Sequence, residues 1–284
     1  MILDLYTLPT YNTGCVHAMK ITVIAGLLSI VFFGLSVFSC QTDAPFTPVA
    51  SGNLRLVFDN VVGTSDLKLG TGTYQNAVGE SFSITKFNYF VSNIRLRKDD
   101  GSEYVVPQDS SYFLIQEDQP TSQTITLNNI PVGKYTGLTY LAGVDSLRSM
   151  ADLSRRTGVL DPGLNNGMYW DWNSGYIFLK LEGTSSVAPA AQNNTFFYHI
   201  GGFGRSNVKI NNLRTITLSF KNDVASVQTD ATPTVQLATD ALKIFNGPTP
   251  LSIAQYSSVM FDPYSTNVAD NYVQMFSYNR LRAN

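Results

Sequence analysis

The chain is poor in the residues that form disulfide frameworks, metal clusters and charged binding surfaces. Its 284 residues include two cysteines, two histidines and two tryptophans, and only 14% are charged. Both cysteines, Cys15 and Cys40, precede the body of the sequence, so no disulfide framework or cysteine-based metal site can form there. The net charge of −2 gives no basic footprint of the kind that nucleic acids require. We therefore expect no nucleic-acid partner.

Common catalytic motifs are also missing. There is no Gly-x-Ser-x-Gly nucleophile elbow, no Walker loop and no His-Glu-x-x-His zinc motif. The segment LGTGTYQ at 69–75 has two glycines but lacks the third glycine and the strand-to-helix context of a dinucleotide-binding loop, which favours a turn. We predict that the protein is not an enzyme.

The first 40 residues are typical of a processed leader. From Met19 the sequence MKITVIAGLLSIVFFGLSVFSC has one Lys, then a largely apolar, charge-free run from Ile21 to Val37, then small residues before Cys40. This is the layout of a secretion signal, and its VFSC ending resembles a bacterial lipobox, in which the cysteine is lipidated. We predict an upstream-start artefact at 1–18, a lipoprotein signal peptide at 19–39 and a linker at 40–52.

The alternative for this leader is a transmembrane anchor. The apolar run barely reaches the roughly 17 residues that a spanning helix needs, and the lipoprotein is therefore favoured. The lipid on Cys40 would then anchor the protein to the membrane. The expected location is the bacterial cell envelope, either in the periplasm or on the outer-membrane surface.

Apolar and polar residues alternate through much of 53–284. The triplets Leu54, Leu56, Phe58 and Ile216, Leu218, Phe220 each occupy one side of a period-two pattern, which is typical of half-buried strands. In Ile84–Arg97 the apolar phase changes across Ser92-Asn93, which predicts a β-bulge or a bend. Further strands are expected at 104–106, 112–116, 122–127, 135–142, 175–182 and 196–200. We predict an all-β fold, a β-sandwich of short antiparallel strands with two or three short peripheral helices, in one domain over 53–284.

Three segments have helical spacing. Residues 145–158 place Leu147, Met150 and Leu153 on one face, with Asp145 or Ser146 as N-cap and Gly158 as the stop. Segments 251–261 and 267–282 also look amphipathic, and we expect them to pack on the sandwich.

Four aspartates surround the segment before the tryptophan pair, namely Asp145, Asp152, Asp161 and Asp171. They could bind a hard cation such as calcium, although the oxygen-rich spacing of a calcium loop is missing. Helix capping and turn formation are the simpler explanation for Asp145 and Asp161.

Both tryptophans lie in GMYWDWNSGYIFLKLEG at 167–183, and the sole histidine after the leader, His199, follows in TFFYHIGGFG. Residues two apart in an extended segment face the same side, so Trp170 and Trp172 are predicted to stand side by side with Asp171 opposite. The pair could form an aromatic core corner, stack on a sugar or relay an electron hole. His199 could be a structural residue or a copper ligand, and the thioether of Met168 is a soft donor that suits Cu(I).

The segments GVDSL, LDP, GMYWDWNSGYIFLKLEG and FFYHIGGFG, in this order and spacing, resemble the MbnP-like copper-binding family. The resemblance extends from about Asn53 to the C-terminal VADNYVQMFSYN. Members are secreted or lipid-anchored β-rich proteins associated with the copper chelator methanobactin. They are often encoded beside a di-haem peroxidase-like enzyme of the MauG/MbnH type, which converts a family Trp into kynurenine.

The resemblance implies copper, as Cu(I) or Cu(II), with His199 as imidazole ligand and Trp172 or Trp170 as the residue modified to kynurenine. It also implies that Tyr169 and Tyr176 could pass the oxidising equivalent from a docked haem protein. Copper sites in the family are expected to use more than one His, and after the leader this chain has only His199. A site with one His would bind copper more weakly or prefer Cu(I).

Two other hypotheses stay open at the level of sequence. The protein could be a surface lipoprotein that binds a glycan or a protein partner through exposed Trp170 and Trp172, with copper binding lost. It could also be a purely structural envelope protein in which both indoles are core residues.

Overall fold

The computed structural model describes residues 49–173, 175–205 and 208–283. These belong to one compact unit, Thr47–Asn284. The predicted leader, the lipidation site at Cys40 and most of the linker lie outside the described residues. Within the described ranges, no helix is both long enough and apolar enough to cross a membrane.

Strands dominate the described ranges. They are β1 Ser51–Val62, β2 Ser65–Asp66, β3 Tyr74–Gln75, β4 Ser81–Lys98, β5 Glu103–Val105, β6 Tyr112–Gln116, β7 Thr124–Pro131, β8 Gly133–Ala142, β9 Tyr169–Trp170, β10 Gly175–Thr184, β11 Thr195–Gly201, β12 Phe203–Arg205, β13 Val208–Asn211, β14 Arg214–Ser219, β15 Ala225–Val227, β16 Thr234–Asp240, β17 Ser258–Val259 and β18 Phe276–Arg282.

The strands form two large sheets and one hairpin. One sheet has the order β18-β16-β1-β2, with β7 also paired to β1. The other has the order β14-β8-β4-β10-β11-β17, with β15 on β8, β9 on β10, and β3, β5 and β6 on β4. β12 and β13 form the hairpin. The pairing is antiparallel except between β1 and β16 and between β11 and β17, which are parallel. The predicted all-β sandwich is therefore confirmed, with these two parallel pairs added.

The main core lies between the inner faces of the two large sheets. Leu54, Leu56 and Phe58 of β1 are fully buried, as their alternation predicts. The ring of Phe58 meets Tyr89 of β4 at a centroid distance of 6.2 Å and Tyr140 of β8 at 6.1 Å. Burying a side chain of this size contributes about 1.5–3 kcal/mol, so alternating apolar residues on both sheets hold the layers together.

The predicted bulge in β4 is confirmed. Asn93 has a φ of 53°, and the register of β4 with β8 shifts between Ser92 and Arg95. The extra residue turns Ile94 and Leu96 back into the main core, where both are fully buried.

The helices are short and only partly match the prediction. They are α1 Ser146–Ser149, α2 Leu242–Phe245 and α3 Ser265–Tyr272, with 3₁₀ turns at Gln108–Ser110, Pro120–Gln123, Leu153–Arg155, Gly158–Leu160, Pro162–Leu164, Ala190–Gln192 and Val273–Met275. The predicted helix over 145–158 breaks after α1. Its proposed apolar face is wrong, since Leu147, Met150 and Leu153 are 74%, 59% and 67% exposed.

The two C-terminal helix predictions need correction. Segment 251–261 contains turns and β17 rather than a helix. In segment 267–282 the first part lies within α3 and the 3₁₀ turn Val273–Met275, and the remainder is β18, which pairs with the edge of β16. The edge of β16 needs a partner for its backbone groups, and this requirement overrides the helical spacing.

A second, smaller apolar cluster covers part of the outer face of the β4–β10–β11 sheet. In β4 the side chains of Tyr89 and Val91 belong to the main core, whereas Phe90 between them belongs to this outer cluster. Its other buried members are Leu114, Val144, Leu160, Met168, Trp170, Tyr176, Ile177, Phe178 and Phe203. The chain between β8 and β10 therefore folds over the outer face of the sheet.

Candidate functional site

The imidazole of His199 is held on the outer face of the sheet by a carboxylate. Its neighbours in β11, Tyr198 and Ile200, are fully buried in the main core, so alternation places His199 on the opposite face. Nε2 of His199 lies 2.8 Å from Oε1 of Glu182 in the adjacent strand β10. Because a carboxylate accepts, Nε2 donates in this contact, and in the neutral imidazole Nδ1 is then the nitrogen with a lone pair.

Polar residues form a row across this face beside His199. Lys180 of β10 pairs directly with His199 on one side and with Asn88 of β4 on the other. Asn88 is 1% exposed, and its Oδ1 has no hydrogen-bond partner among the described residues. Buried amide oxygens are normally bonded, so this unpartnered acceptor distinguishes the row from an ordinary solvated strand face.

The segment with the tryptophans lies over the same row. A Cβ added at Gly167 would come 3.4 Å from Nζ of Lys180, so the loop backbone passes close above the amine. The side chain of Lys180 is only 12% exposed, and its Nζ lies 4.0 Å from Oε1 of Glu182. His199, Glu182 and Lys180 therefore form a partly covered polar cluster. Together with Asn88 it is called the outer-face cluster, and it is distinct from the apolar outer cluster that contains Trp170.

Two side chains of the outer-face cluster, Glu182 and Lys180, have shifted pKa values. The hydrogen bond with His199 lowers the pKa of Glu182 below its ordinary value, and it outweighs the opposing effect of burial. Burial lowers the pKa of Lys180, although the nearby Glu182 carboxylate acts against this shift. Glu182 is therefore an ionised acceptor at neutral pH.

The two tryptophans are in contact but differ sharply in exposure. Their ring centroids are 5.4 Å apart with an interplanar angle of 46°. Trp170 is 5% exposed in the outer cluster, whereas Trp172 is 66% exposed. The predicted side-by-side arrangement holds, but the chain turns at 171–173 directly after β9, so one indole packs inward and the other faces solvent.

Trp170 is the indole that lies on the strand of His199. A Cβ added at Gly201 would come 2.8 Å from Cζ3 of Trp170, so the indole occupies the space above this glycine. Gly201 and His199 are two residues apart, which places them on the same face about 7 Å apart along the strand. The indole nitrogen of Trp170 is buried and has no hydrogen-bond partner among the described residues. Buried indoles usually find an acceptor, so this N–H is unusual.

The other predicted site residues lie around the pair. Met168 is fully buried in the outer cluster, and Asp171 is exposed in the turn. The rings of Tyr169 and Tyr176 meet at 5.2 Å, and the hydroxyl of Tyr176 donates to the carbonyl of Leu160 at 2.5 Å. Burial raises the pKa of Tyr176 to about 12.

Two of the three aspartates before the tryptophan pair, Asp145 and Asp161, act as caps. Asp145 is the N-cap of α1, where its side chain accepts from the backbone N–H of Arg148, and it also accepts from the hydroxyl of Tyr112. Asp161 accepts from the N–H of Gly163 at 2.8 Å. Asp152 precedes the next 3₁₀ turn without a capping bond. These positions agree with the capping alternative for Asp145 and Asp161.

The arrangement meets one requirement of a metal site. Metal-binding imidazoles usually donate their second ring N–H to a carboxylate, which fixes the ring, and the His199–Glu182 contact has this form. Across the described ranges, however, no three His, Cys, Asp or Glu side chains converge on one point. A metal on Nδ1 of His199 would therefore need its other donors from different groups, such as a thioether or an aryl amine.

Sequence reasoning did not single out Glu182, Lys180 and Asn88. For Glu182 and Lys180 a signal was present in the sequence, because they alternate with Leu179 and Leu181, which are buried, and so share one face of β10. Asn88 gave no such signal, since it sits in a run of six buried residues from Phe87 to Ser92.

Comparison with models of protein families shows to which family the chain belongs. The MbnP family model matches residues 51–261, which is more than half of the chain. The chain belongs to the MbnP family. Among solved structures, this MbnP-family chain is similar to MbnP from Methylosinus trichosporium, with a TM-score of 0.47 and 14% identity over 76% of this chain and 82% of that chain. No curated protein matches it.

Proposed function

We propose that this MbnP-family protein is a lipid-anchored, extracytoplasmic copper-binding protein that serves copper uptake or handling and is not an enzyme. The observation behind this proposal is the imidazole of His199, held by Glu182 on the face over which Trp170 lies. Family membership agrees with it. The leader ending in Cys40 supports the anchor and the location in the bacterial cell envelope.

In this proposal the protein supplies ligands and orientation. Nδ1 of His199 binds the metal, and Glu182 fixes the ring through Nε2–H. Lys180 places a positive charge near the ligand, which weakens the binding of a cation. Bound copper would supply a centre that prefers nitrogen and sulfur donors.

We further propose that one of the two tryptophans is oxidised to kynurenine by a peroxide-driven di-haem partner enzyme. An exposed Trp172 in contact with a buried Trp170 offers a path for an electron hole from the surface inward. Kynurenine has a free aryl amine where the indole nitrogen was, and in Trp170 that nitrogen has no hydrogen-bond partner within the described ranges. Trp170 is therefore the better-placed modification site, with Trp172 as the entry point.

Elemental analysis after copper loading tests the metal proposal. The tag-free protein should retain about one copper per chain, and His199→Gln should lose it, although the amide can still donate to Glu182. Glu182→Gln should weaken binding by roughly 10–100-fold, as for other outer-shell carboxylates. Retention by His199→Gln at the wild-type level would contradict His199 as the ligand.

Mass spectrometry tests the modification. The tryptic peptide Thr157–Lys180 contains both tryptophans. After co-expression with the di-haem enzyme, it should show a change of one carbon for one oxygen, located by fragmentation. The Trp172→Phe variant should slow the conversion at Trp170, and an unshifted wild-type peptide would contradict the proposal.

The exposure of Trp172 also favours a second candidate function, in which this side chain contacts a glycan or a protein partner. Single exposed aromatic residues are common at such contacts. Quenching of tryptophan fluorescence by oligosaccharides, lost in Trp172→Phe and unaffected by copper, would favour this candidate over the first.

A further inference from the structure

The segment after β17 runs beside His199. β17 pairs in parallel with β11, with Phe197 opposite Ser258 and Tyr198 opposite Val259. The N–H of Phe197 also donates to the carbonyl of Ser257 at 2.8 Å. The next residues along the two segments are His199 in β11 and Met260, which directly follows β17.

Burial indicates on which face Met260 lies. Val259 is 1% exposed and lies in the main core, where its partner Tyr198 is fully buried. Ser258, by contrast, is exposed. Alternation therefore assigns Met260 to the outer face, the face of His199. Met260 is half-buried against the outer cluster that contains Trp170, which agrees with this assignment.

The following residues hold the segment in place. The backbone N–H of Met260 donates to Oδ2 of Asp262 at 3.1 Å. The ring of Phe261 meets that of Trp170 at 6.0 Å, and a Cβ added at Gly202 would come 2.6 Å from the Phe261 ring. The thioether is thus on a segment packed against both the strand of His199 and the indole.

We propose that Met260 is the sulfur ligand of the metal bound through His199 and that it gives the site its preference for Cu(I). This inference rests on the proposed copper function. The thioether of Met260 would supply a donor that the single-histidine arrangement lacks, and thioethers are soft ligands that select Cu(I).

Met168 is the competing thioether, and its surroundings differ. It is fully buried in the outer cluster, and its carbonyl accepts from the N–H of Ile177 in β10. Met260 is only half-buried, and it directly follows Val259, the register partner of Tyr198, which precedes His199. Met168→Leu is therefore the matched control for Met260→Leu, since both are volume-conserving changes in one apolar cluster.

Two measurements on copper-loaded protein test the assignment. Competition with a chromophoric Cu(I) chelator should show at least about tenfold weaker Cu(I) binding in Met260→Leu, as expected for a lost ligand, and no comparable loss in Met168→Leu. X-ray absorption at the copper edge should show a sulfur neighbour in the wild type and in Met168→Leu that is absent in Met260→Leu.

The outcomes separate this inference from the proposed function. If the wild type retains no copper, the copper function fails and this inference fails with it. If the wild type binds copper and Met260→Leu keeps both the Cu(I) affinity and the sulfur neighbour, only the assignment of Met260 is overturned. Loss of the sulfur neighbour in Met168→Leu alone would likewise overturn it.

Discussion

Adding one methyl group at Gly201 tests the packing that joins the tryptophans to the strand of His199. In Gly201→Ala the new Cβ would lie 2.3 Å from the carbonyl oxygen of Tyr176 and 2.8 Å from Cζ3 of Trp170. Both separations are shorter than any ordinary contact. Either the backbone of β10 and β11 must part or the indole must leave its place above the strand.

The cost follows from what would have to move. Overpacking a well-packed region usually costs about 1–3 kcal/mol, and the upper half of this range applies because one obstacle is a backbone atom. For a domain of this size, each kcal/mol lowers the melting temperature by about 2–4 °C. We therefore expect Gly201→Ala to melt roughly 4–12 °C below the wild type, from about 2–3 kcal/mol of lost stability.

Fluorescence can report the movement of the indole itself. Trp172→Phe removes the exposed indole and should leave stability within about 0.5 kcal/mol of the wild type, because this side chain is mostly in solvent. In that background Trp170 is the only indole of the chain. Gly201→Ala should then shift the emission to longer wavelength as Trp170 gains contact with water.

Gly175→Ala is the matched control. Gly175 pairs with Trp170 in the register of β9 and β10, yet a Cβ there would meet nothing closer than 3.8 Å. It should leave emission and melting temperature almost unchanged. If Gly201→Ala behaves like Gly175→Ala in both measurements, Trp170 does not lie over the strand of His199, and the proximity argument fails.

Two further predictions concern the scaffold. Burial acts to raise the pKa of Glu80, but hydrogen bonds from Asn76 and from loop 252–254 outweigh it and hold the pKa below its ordinary value. Glu80→Gln should therefore cost about 1–3 kcal/mol at pH 7 in denaturant unfolding. That difference should shrink as the pH falls through the lowered pKa, because the ionised form provides the stability, and a pH-independent difference would contradict this. Asn271 is fully buried and makes three side-chain bonds to backbone groups, so Asn271→Ala should cost about 3 kcal/mol in the same assay. The exposed neighbour change Gln274→Ala should cost less than about 0.5 kcal/mol, and equal effects would refute the role of Asn271.

Local alternation predicted the long strands of the fold. Where Leu54, Leu56 and Phe58 repeat every second residue, the pattern and the burial agree. β16 was missed because its third inward position is Thr239, a polar residue that is fully buried and bonded to Tyr89. β18 was missed because it continues directly from an amphipathic helical segment, and only pairing with β16 makes it a strand.

The sequence indicated where the candidate site lies better than it indicated which residues form it. His199 and the tryptophans stand out because they are rare, but the partners of His199 are common residue types. Glu182 is found only once the register of β10 and β11 is known. Met260 is found only from the parallel pairing of two segments about sixty residues apart, which no local pattern indicates.

The outer-face cluster is difficult to explain as a contribution to stability. The side chains of Lys180, Glu182 and His199 are only 12%, 26% and 14% exposed, so each loses hydration free energy there. Ion pairs in such positions rarely stabilise a fold more than well-packed apolar side chains of the same volume would. Asn88 adds a buried acceptor that has no partner in the part of the chain that the structure describes, which costs about 1–3 kcal/mol more. An apolar cluster already covers the neighbouring part of the same face, so the fold could have been completed without charge. The polar residues are better explained by an interaction with a ligand than by packing. Lys180→Met with Glu182→Met should consequently leave the melting temperature unchanged or raise it, while loss of the carboxylate that orients His199 should weaken copper binding without abolishing it.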